Sequence, residues 1–255
     1  MTSRPIVVVT GAEGGIGRAA ANHMADIRSA AGDSKFTVVR ADLGEVAGPQ
    51  THPLDVTDSA ACSALFEDIA RLGPLRAVVH TAGTLISGPA MSADPAEIER
   101  VIRVNLLGTA HVLTAAARVM VAQDPVGADR ARCLLTVASN SARRPRSGLA
   151  AYSATKAAAS QFTRSLGLEL GDNGIRCMVV SPGTTDTPML RAMWEGEDHR
   201  DQTVAGNLAT YQPGIPLQRI AAPEDIAPLI GFLLSEGAAH MTLGDIAVDG
   251  GASQS

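Results

Sequence analysis

The apolar pattern opens with Ile6-Val7-Val8-Val9, an unbroken run of β-branched residues that predicts a short strand buried on both faces. A glycine-rich turn follows, and then Arg18 to Arg28 carries apolar residues at helical spacing. The alternation recurs along the chain. Phe36 to Ala41 reads as a second strand, Ser59 to Leu72 as a helix, Ala77 to His80 as a buried strand, and Ala96 to Gln123 as a long helix. Next come a strand at Cys133 to Ala138, a helix at Tyr152 to Leu170, a strand at Arg176 to Val180, a helix at Pro223 to Leu234 and a last strand at Asp245 to Asp249. Strands separated by helices predict βαβ units, and hence one α/β domain spanning 1–255 around a doubly wound parallel sheet. Thr184 to Pro216 fits none of these elements. A passage that long between a strand and a helix predicts a lid over a ligand, in which Met189, Met193, Trp194 and Tyr211 surround the charged run Glu195 to Asp201. The stretch Val101 to Ala122 is apolar on nearly every side, and so is the Ala-rich Ala157 to Leu170; helices of that kind are buried on more than one face, which predicts a second subunit against them.

Composition narrows this picture. The chain has 255 residues, 45% of them apolar but only 3% aromatic, so its core is built from the aliphatic residues that fill parallel sheets. A net charge of −5 excludes the basic footprint of a nucleic-acid binder, and Arg143-Arg144-Pro145-Arg146 is too short to reverse that. Cys62, Cys133 and Cys177 are odd in number, widely spaced and set among apolar neighbours, as core thiols in a reducing compartment are. Neither CxxC nor HExxH occurs, so no metal site is expected. Met1 to Pro5 runs straight into the first strand without a charged leader or cleavage site, and apolar runs such as Ile226 to Leu234 stop well short of the roughly 20 residues of a membrane span. The expectation is a cytoplasmic protein without membrane partners.

Between the first strand and the first helix stands Thr10-Gly11-Ala12-Glu13-Gly14-Gly15-Ile16-Gly17. Glycines there let the backbone turn sharply against a pyrophosphate, whose charge the helix N-terminus stabilises; Gly11, Gly15, Ile16 and Gly17 are therefore cofactor candidates in a Rossmann-type fold. The second strand runs into Asp42, a carboxylate placed to accept the adenosine ribose hydroxyls and to repel a 2′-phosphate, so NAD is favoured over NADP. The interval from Gly11 is long, and Ser29 to Ser34 reads as an inserted loop. Arg40, two residues before Asp42 and on the same strand face, is the complication, because turned inward it answers a 2′-phosphate. Asp55-Val56 is placed to contact the adenine, or else Asp55 caps a helix.

The chemistry is carried by Tyr152 and Lys156, one helical turn apart, with Ser139 thirteen positions before the tyrosine. A free phenol with pKa about 10 is a poor base, whereas one sharing a helix face with a cation is more readily ionised. Taken together, the glycine motif, Asp55-Val56, Asn105, Ser139, Tyr152 with Lys156, and Pro182-Gly183 with Thr187 resemble the short-chain dehydrogenase/reductase family across essentially the whole chain. The resemblance implies that Asn105 joins Ser139, Tyr152 and Lys156 in catalysis and anchors a water linking the lysine to solvent. It implies that Ala82, Gly83, Pro182, Gly183, Thr185 and Thr187 lie against the cofactor, that Lys156 grips the nicotinamide ribose, and that the subunits form a tetramer. His80-Thr81-Ala82-Gly83 departs from the family's Asn-Asn-Ala-Gly, which predicts weaker bracing between strands.

Further stretches are similar to dehydrogenases that oxidise a ring carbinol of a cyclohexadiene carboxylic acid with aromatisation: Thr136-Val137-Ala138-Ser139-Asn140, Pro145-Arg146 ahead of Ala151-Tyr152, Gly214-Ile215-Pro216-Leu217 and Val248-Asp249-Gly250-Gly251. That likeness covers a diol ring and its amino analogue equally. A carboxylated substrate requires a cation, and Arg146, between Ser139 and Tyr152, is placed to clamp it, with Met189 and Trp194 closing over the ring. Two other classes remain open at this stage. One is a nucleotide-sensing regulator without chemistry, against which the complete Ser139, Tyr152 and Lys156 set argues; the other is a reductase of ketone or acyl-carrier substrates.

Overall fold

The computed structural model describes residues 4–44, 50–124, 131–194 and 196–253. Its first half contains β1 (Ile6–Thr10), α1 (Gly15–Asp26), β2 (Thr37–Asp42), β3 (Thr51–Pro53), α2 (Ser59–Leu72), β4 (Leu75–His80), α3 (Pro95–Ile102) and α4 (Gly108–Gln123). There follow β5 (Cys133–Val137), α5 (Ala150–Glu169), β6 (Arg176–Pro182), α6 (Pro188–Met193), α7 (Arg200–Ala205), β7 (Gly206–Asn207), β8 (Gln212–Pro213), α8 (Pro223–Leu233) and β9 (Asp245–Val248). Seven strands pair in parallel in the order β3-β2-β1-β4-β5-β6-β9. The chain walks outward from β1 to β3, then returns through α2 to lay β4 on the other side of β1. A crevice opens where that direction reverses, at the carboxyl ends of β1 and β4, and ligands of such sheets bind there.

Successive strand side chains point to opposite faces, so the β-branched run of β1 serves two cores at once. Ile6 and Val8 enter the layer under α2, α4 and α5 with Phe66, Ile69 and Leu113, while Val7 and Val9 enter the layer under α1 and α8 with Met24, Ile226 and Ile230. Each fully buried side chain of that size contributes roughly 1.5–3 kcal/mol before entropy is counted. Local chemistry sets the helix ends. Asp58 caps α2 by accepting the amides of Ala60 and Ala61, and Asp94 with Pro95 starts α3.

Several boundaries differ from the pattern for physical reasons. Helix α1 begins at Gly15, not Arg18, because the glycine turn is itself the helix's first turn. The predicted Ala96 to Gln123 helix is divided by a π turn at Arg103–Leu107, between α3 and α4. Strand β3 has no apolar pattern, being three residues on the sheet edge. The passage 184–216 holds α6, α7 and the β7–β8 pair; Glu195 of its charged run lies outside the described residues, as do Met1 to Ser3. Segment 95–123 passes the length and composition of a membrane span, as core helices also do, and half of its most apolar window is buried inside the fold.

Candidate active site

The glycine turn is built for close backbone approach. Gly11 has φ +70°, and a Cβ there would lie 2.5 Å from the Ala82 nitrogen, while a Cβ on Gly17 would collide with the Gly11 carbonyl oxygen. Gly11, just after β1, therefore packs directly on the backbone of Thr81 and Ala82. The N-cap residue of α1, Gly14, makes no side-chain capping bond, so first-turn amides are left for an anion. In front of them lies a cleft of 540 Å³ lined by Gly11, Gly15, Ile16, Gly17, Asp42, Asp55, Val56, Ala82, Gly83, Tyr152, Lys156 and Thr187 among others. A dinucleotide fits this cradle, and a side chain at Gly11 or Gly17 would force apart the tight backbone turn that forms it.

At the adenosine end, the Asp42 carboxylate accepts the amides of Glu13 (2.9 Å) and Leu43 (2.7 Å). Arg40 is not among the lining residues; its Nη2 donates to Asn22 Oδ1 at 2.6 Å. Asp55 lines the cleft but does not cap α2: its Oδ1 accepts the Thr57 amide and hydroxyl, each at 2.8 Å, and the cap is Asp58.

Ser139 stands at the end of β5, its Oγ fixed by the amide of Ser141 at 3.1 Å. Tyr152 and Lys156 project from the first two turns of α5, both buried. Burial holds the Tyr152 phenol above its ordinary range; a hydrogen bond with Ser139 and the charge of Arg146 pull it back. The i, i+4 spacing predicts Lys156 in that role, and Arg146 fills it instead. Lys156 is itself pushed down to about 8 by burial; its Nζ donates to the Val137 carbonyl at 3.1 Å and sits 5.9 Å from the centre of the Tyr152 ring. It is also the nearest atom to the face of Gly83, 3.1 Å from where a Cβ would stand.

Asn105 lies in the π turn, fully buried, and lines neither cavity. Its Oδ1 accepts the Thr84 amide (2.8 Å), and its Nδ2 donates to the Thr84 carbonyl (2.9 Å) and to Thr155 Oγ1 (3.0 Å). It thus ties the segment after β4 to α5. The weaker bracing predicted from His80-Thr81 is not found: His80 Nδ1 pairs with Thr10 Oγ1 at 2.7 Å, and Thr81 Oγ1 donates to the carbonyls of Thr10 (2.8 Å) and Gly11 (3.1 Å). Burial, aided by the charge of Lys156, lowers His80 to about 3, so the ring is neutral.

A second cavity of 300 Å³ opens on the other side of Tyr152, lined by Ser139, Arg146, Met189 and Trp194. Pro182, Gly183 and Thr185, expected against the cofactor, line this cavity and not the cleft, whereas Thr187 and Met189 line both. Arg143 is tied to Asp245 at 3.2 Å. Arg146 is different: its Nε is buried without a hydrogen-bond partner. The nearby Asp249 is occupied by Asn140 Nδ2 (3.2 Å) and the amides of Gly251 (3.0 Å) and Ser253 (2.8 Å). Asn140 and Gln212 in the cavity, and Arg100 in the cleft, went unread in the sequence. Asn140 directly follows Ser139 and was within reach of the strand-end argument; Gln212 and Arg100 carry no local signal.

Residues 11–253 match a family model described as enoyl-(acyl carrier protein) reductase. The chain belongs to the short-chain dehydrogenase/reductase family. It is 38% identical to 2,3-dihydro-2,3-dihydroxybenzoate dehydrogenase of Bacillus subtilis (strain 168), over 97% of this chain and 95% of that one. Its identity to the enzyme of the same name from Escherichia coli (strain K12) is also 38%, over 97% and 96%. Among solved structures, ligand-free aldohexose dehydrogenase of Thermoplasma acidophilum superposes with a TM-score of 0.85 at 27% identity, covering 99% of this chain and 95% of that one. As a short-chain dehydrogenase/reductase the protein is an oxidoreductase that works with a nicotinamide cofactor.

Proposed function

We propose that this dehydrogenase oxidises the ring carbinol of 2,3-dihydro-2,3-dihydroxybenzoate with NAD, giving 2,3-dihydroxybenzoate, the catechol unit of siderophores. The observation that carries the substrate class is Arg146, a largely desolvated cation whose Nε lacks a partner, in a cavity shared with Ser139 and Tyr152. Such a group favours an incoming carboxylate, and a bidentate clamp on it sets the ring's orientation. Ser139 Oγ holds the carbinol oxygen, and Tyr152 Oη removes its proton. Bound nicotinamide supplies the hydride acceptor. Lys156, at the cofactor side of Tyr152, is placed to hold the nicotinamide ribose. The ring ketone then tautomerises to a phenol, and aromatisation makes oxidation the favoured direction. Asp42 in the cleft, with Arg40 turned to Asn22, supports NAD over NADP.

Self-association through the apolar surface at the π turn and α5, up to a tetramer, and residence in a reducing cytoplasm complete the reading. The first is supported by exposed Leu107 and Leu168, the second by three buried free cysteines. The test of the chemistry is nicotinamide reduction, followed by its near-ultraviolet absorbance, with cyclic alcohols with and without a ring carboxylate. Turnover confined to carboxylated rings and lost in Tyr152→Phe is expected; undiminished turnover by that variant would refute the base.

A further inference from the structure

Arg40 and Asp42 leave the same face of β2, yet they do different things. Asp42 lines the adenosine end of the cleft, with both carboxylate oxygens oriented by the amides of Glu13 and Leu43. Arg40 does not line it, because its guanidinium reaches to α1 and donates to Asn22 Oδ1 at 2.6 Å. Asn22 is exposed, so that hydrogen bond serves no buried group and adds little to folding. Its effect is positional: it fixes a long cation at the edge of the ribose subsite. A guanidinium in that neighbourhood is the group that receives a 2′-phosphate through two parallel hydrogen bonds.

We infer that Arg40 is a dormant ligand for the 2′-phosphate of NADP, held off the ribose by Asn22, and that Asn22 is thereby a positioning residue for cofactor choice. The inference rests on the reading of Asp42 as the ribose ligand that selects NAD. Two devices then act together: Asp42 repels the phosphate, and Asn22 keeps away the cation that would offset the repulsion. Neutralising Asp42 alone unmasks part of the latent affinity, and releasing Arg40 as well unmasks the rest.

NADH and NADPH are titrated against the full-length protein by nicotinamide fluorescence, for the wild type, Asp42→Asn, Asp42→Asn with Asn22→Ala, and that double variant with Arg40→Ala added. The asparagine keeps an acceptor for the Glu13 amide; Asp42→Ser replaces it should thermal melts show a damaged loop. Wild type is expected to prefer NADH, and a preference for NADPH would overturn the NAD reading together with this inference. Asp42→Asn is expected to gain NADPH affinity by about tenfold, because the like-charge repulsion is removed. The Asn22→Ala addition should increase that gain by about a further tenfold, the worth of a charge-assisted hydrogen bond, and the Arg40→Ala addition should remove this increase. With the NADH preference intact, an Asn22→Ala increase that survives Arg40→Ala would show that Arg40 is not the ligand. A double variant no better than Asp42→Asn alone would show that Asn22 holds nothing back.

Discussion

In the proposed reaction Arg146 links recognition to chemistry at the scale of single residues, because the guanidinium proposed to receive the substrate carboxylate also lowers the phenol proposed to take the proton. Replacing Arg146 with Ala should raise KM for a carboxylated ring by about tenfold to a hundredfold while leaving a neutral cyclic alcohol nearly unaffected. It should also shift the pH dependence of kcat/KM toward alkaline pH, since removing the cation raises Tyr152 further; equal KM changes for both substrates would remove Arg146 from the site. Lys156 offers a second, opposite-signed test. Its native pKa of about 8 lies below the ordinary 10.5, so the folded state binds fewer protons between those values. Stability therefore rises with pH through that window, and below it the penalty of a buried charge is fully present, on the order of 3 kcal/mol. Lys156→Met should melt higher than wild type near neutral pH, lose that advantage as pH approaches 10.5, and lose activity throughout. A lower melting temperature at neutral pH would contradict the burial argument.

Among the elements, α6 and α7 of the 184–216 passage, the proposed lid, are joined through partly exposed charge. Asp186 accepts Arg191 of α6 at 2.8 Å and Arg200 of α7 at 3.1 Å, and these contacts lower its pKa. Exposed pairs contribute only about 0–1 kcal/mol each, so Asp186→Ala should scarcely move the melting temperature. It should nevertheless raise KM for the ring substrate and speed proteolysis within α7; a large fall in melting temperature with unchanged KM would assign Asp186 to the scaffold instead. Strong periodicity made α2, α5 and α8 legible in the sequence, because a buried face leaves its mark every third or fourth residue. What was not legible is non-periodic: the π turn arises from Asn105 reaching across to Thr84 and Thr155, and β3 is an edge strand that buries little. The substitution of His80 for asparagine was legible, but its compensation was not, since the partner of His80 is Thr10, seventy positions away.

For the molecule as a whole, the order of elements was readable because each glycine turn and strand end falls on one edge of a parallel sheet, where the family motif also collects. The partition of residues between the two cavities was not, because Pro182, Gly183 and Thr185 are near in sequence to Thr187 yet line only the second cavity, whereas Thr187 lines both. Exposed Leu107 in the π turn and Leu168 on α5 predict that a paired Leu107→Glu and Leu168→Glu change lowers the oligomeric mass measured by light scattering while the isolated subunit keeps its circular dichroism; an unaltered mass would place the contact elsewhere. The most direct test of the whole account is to incubate the protein with NAD and 2,3-dihydro-2,3-dihydroxybenzoate and to follow product and NADH absorbance together. One NADH formed for each 2,3-dihydroxybenzoate is the predicted result. No cofactor reduction with this acid, or equally fast turnover of a cyclic alcohol lacking the carboxylate, would contradict it.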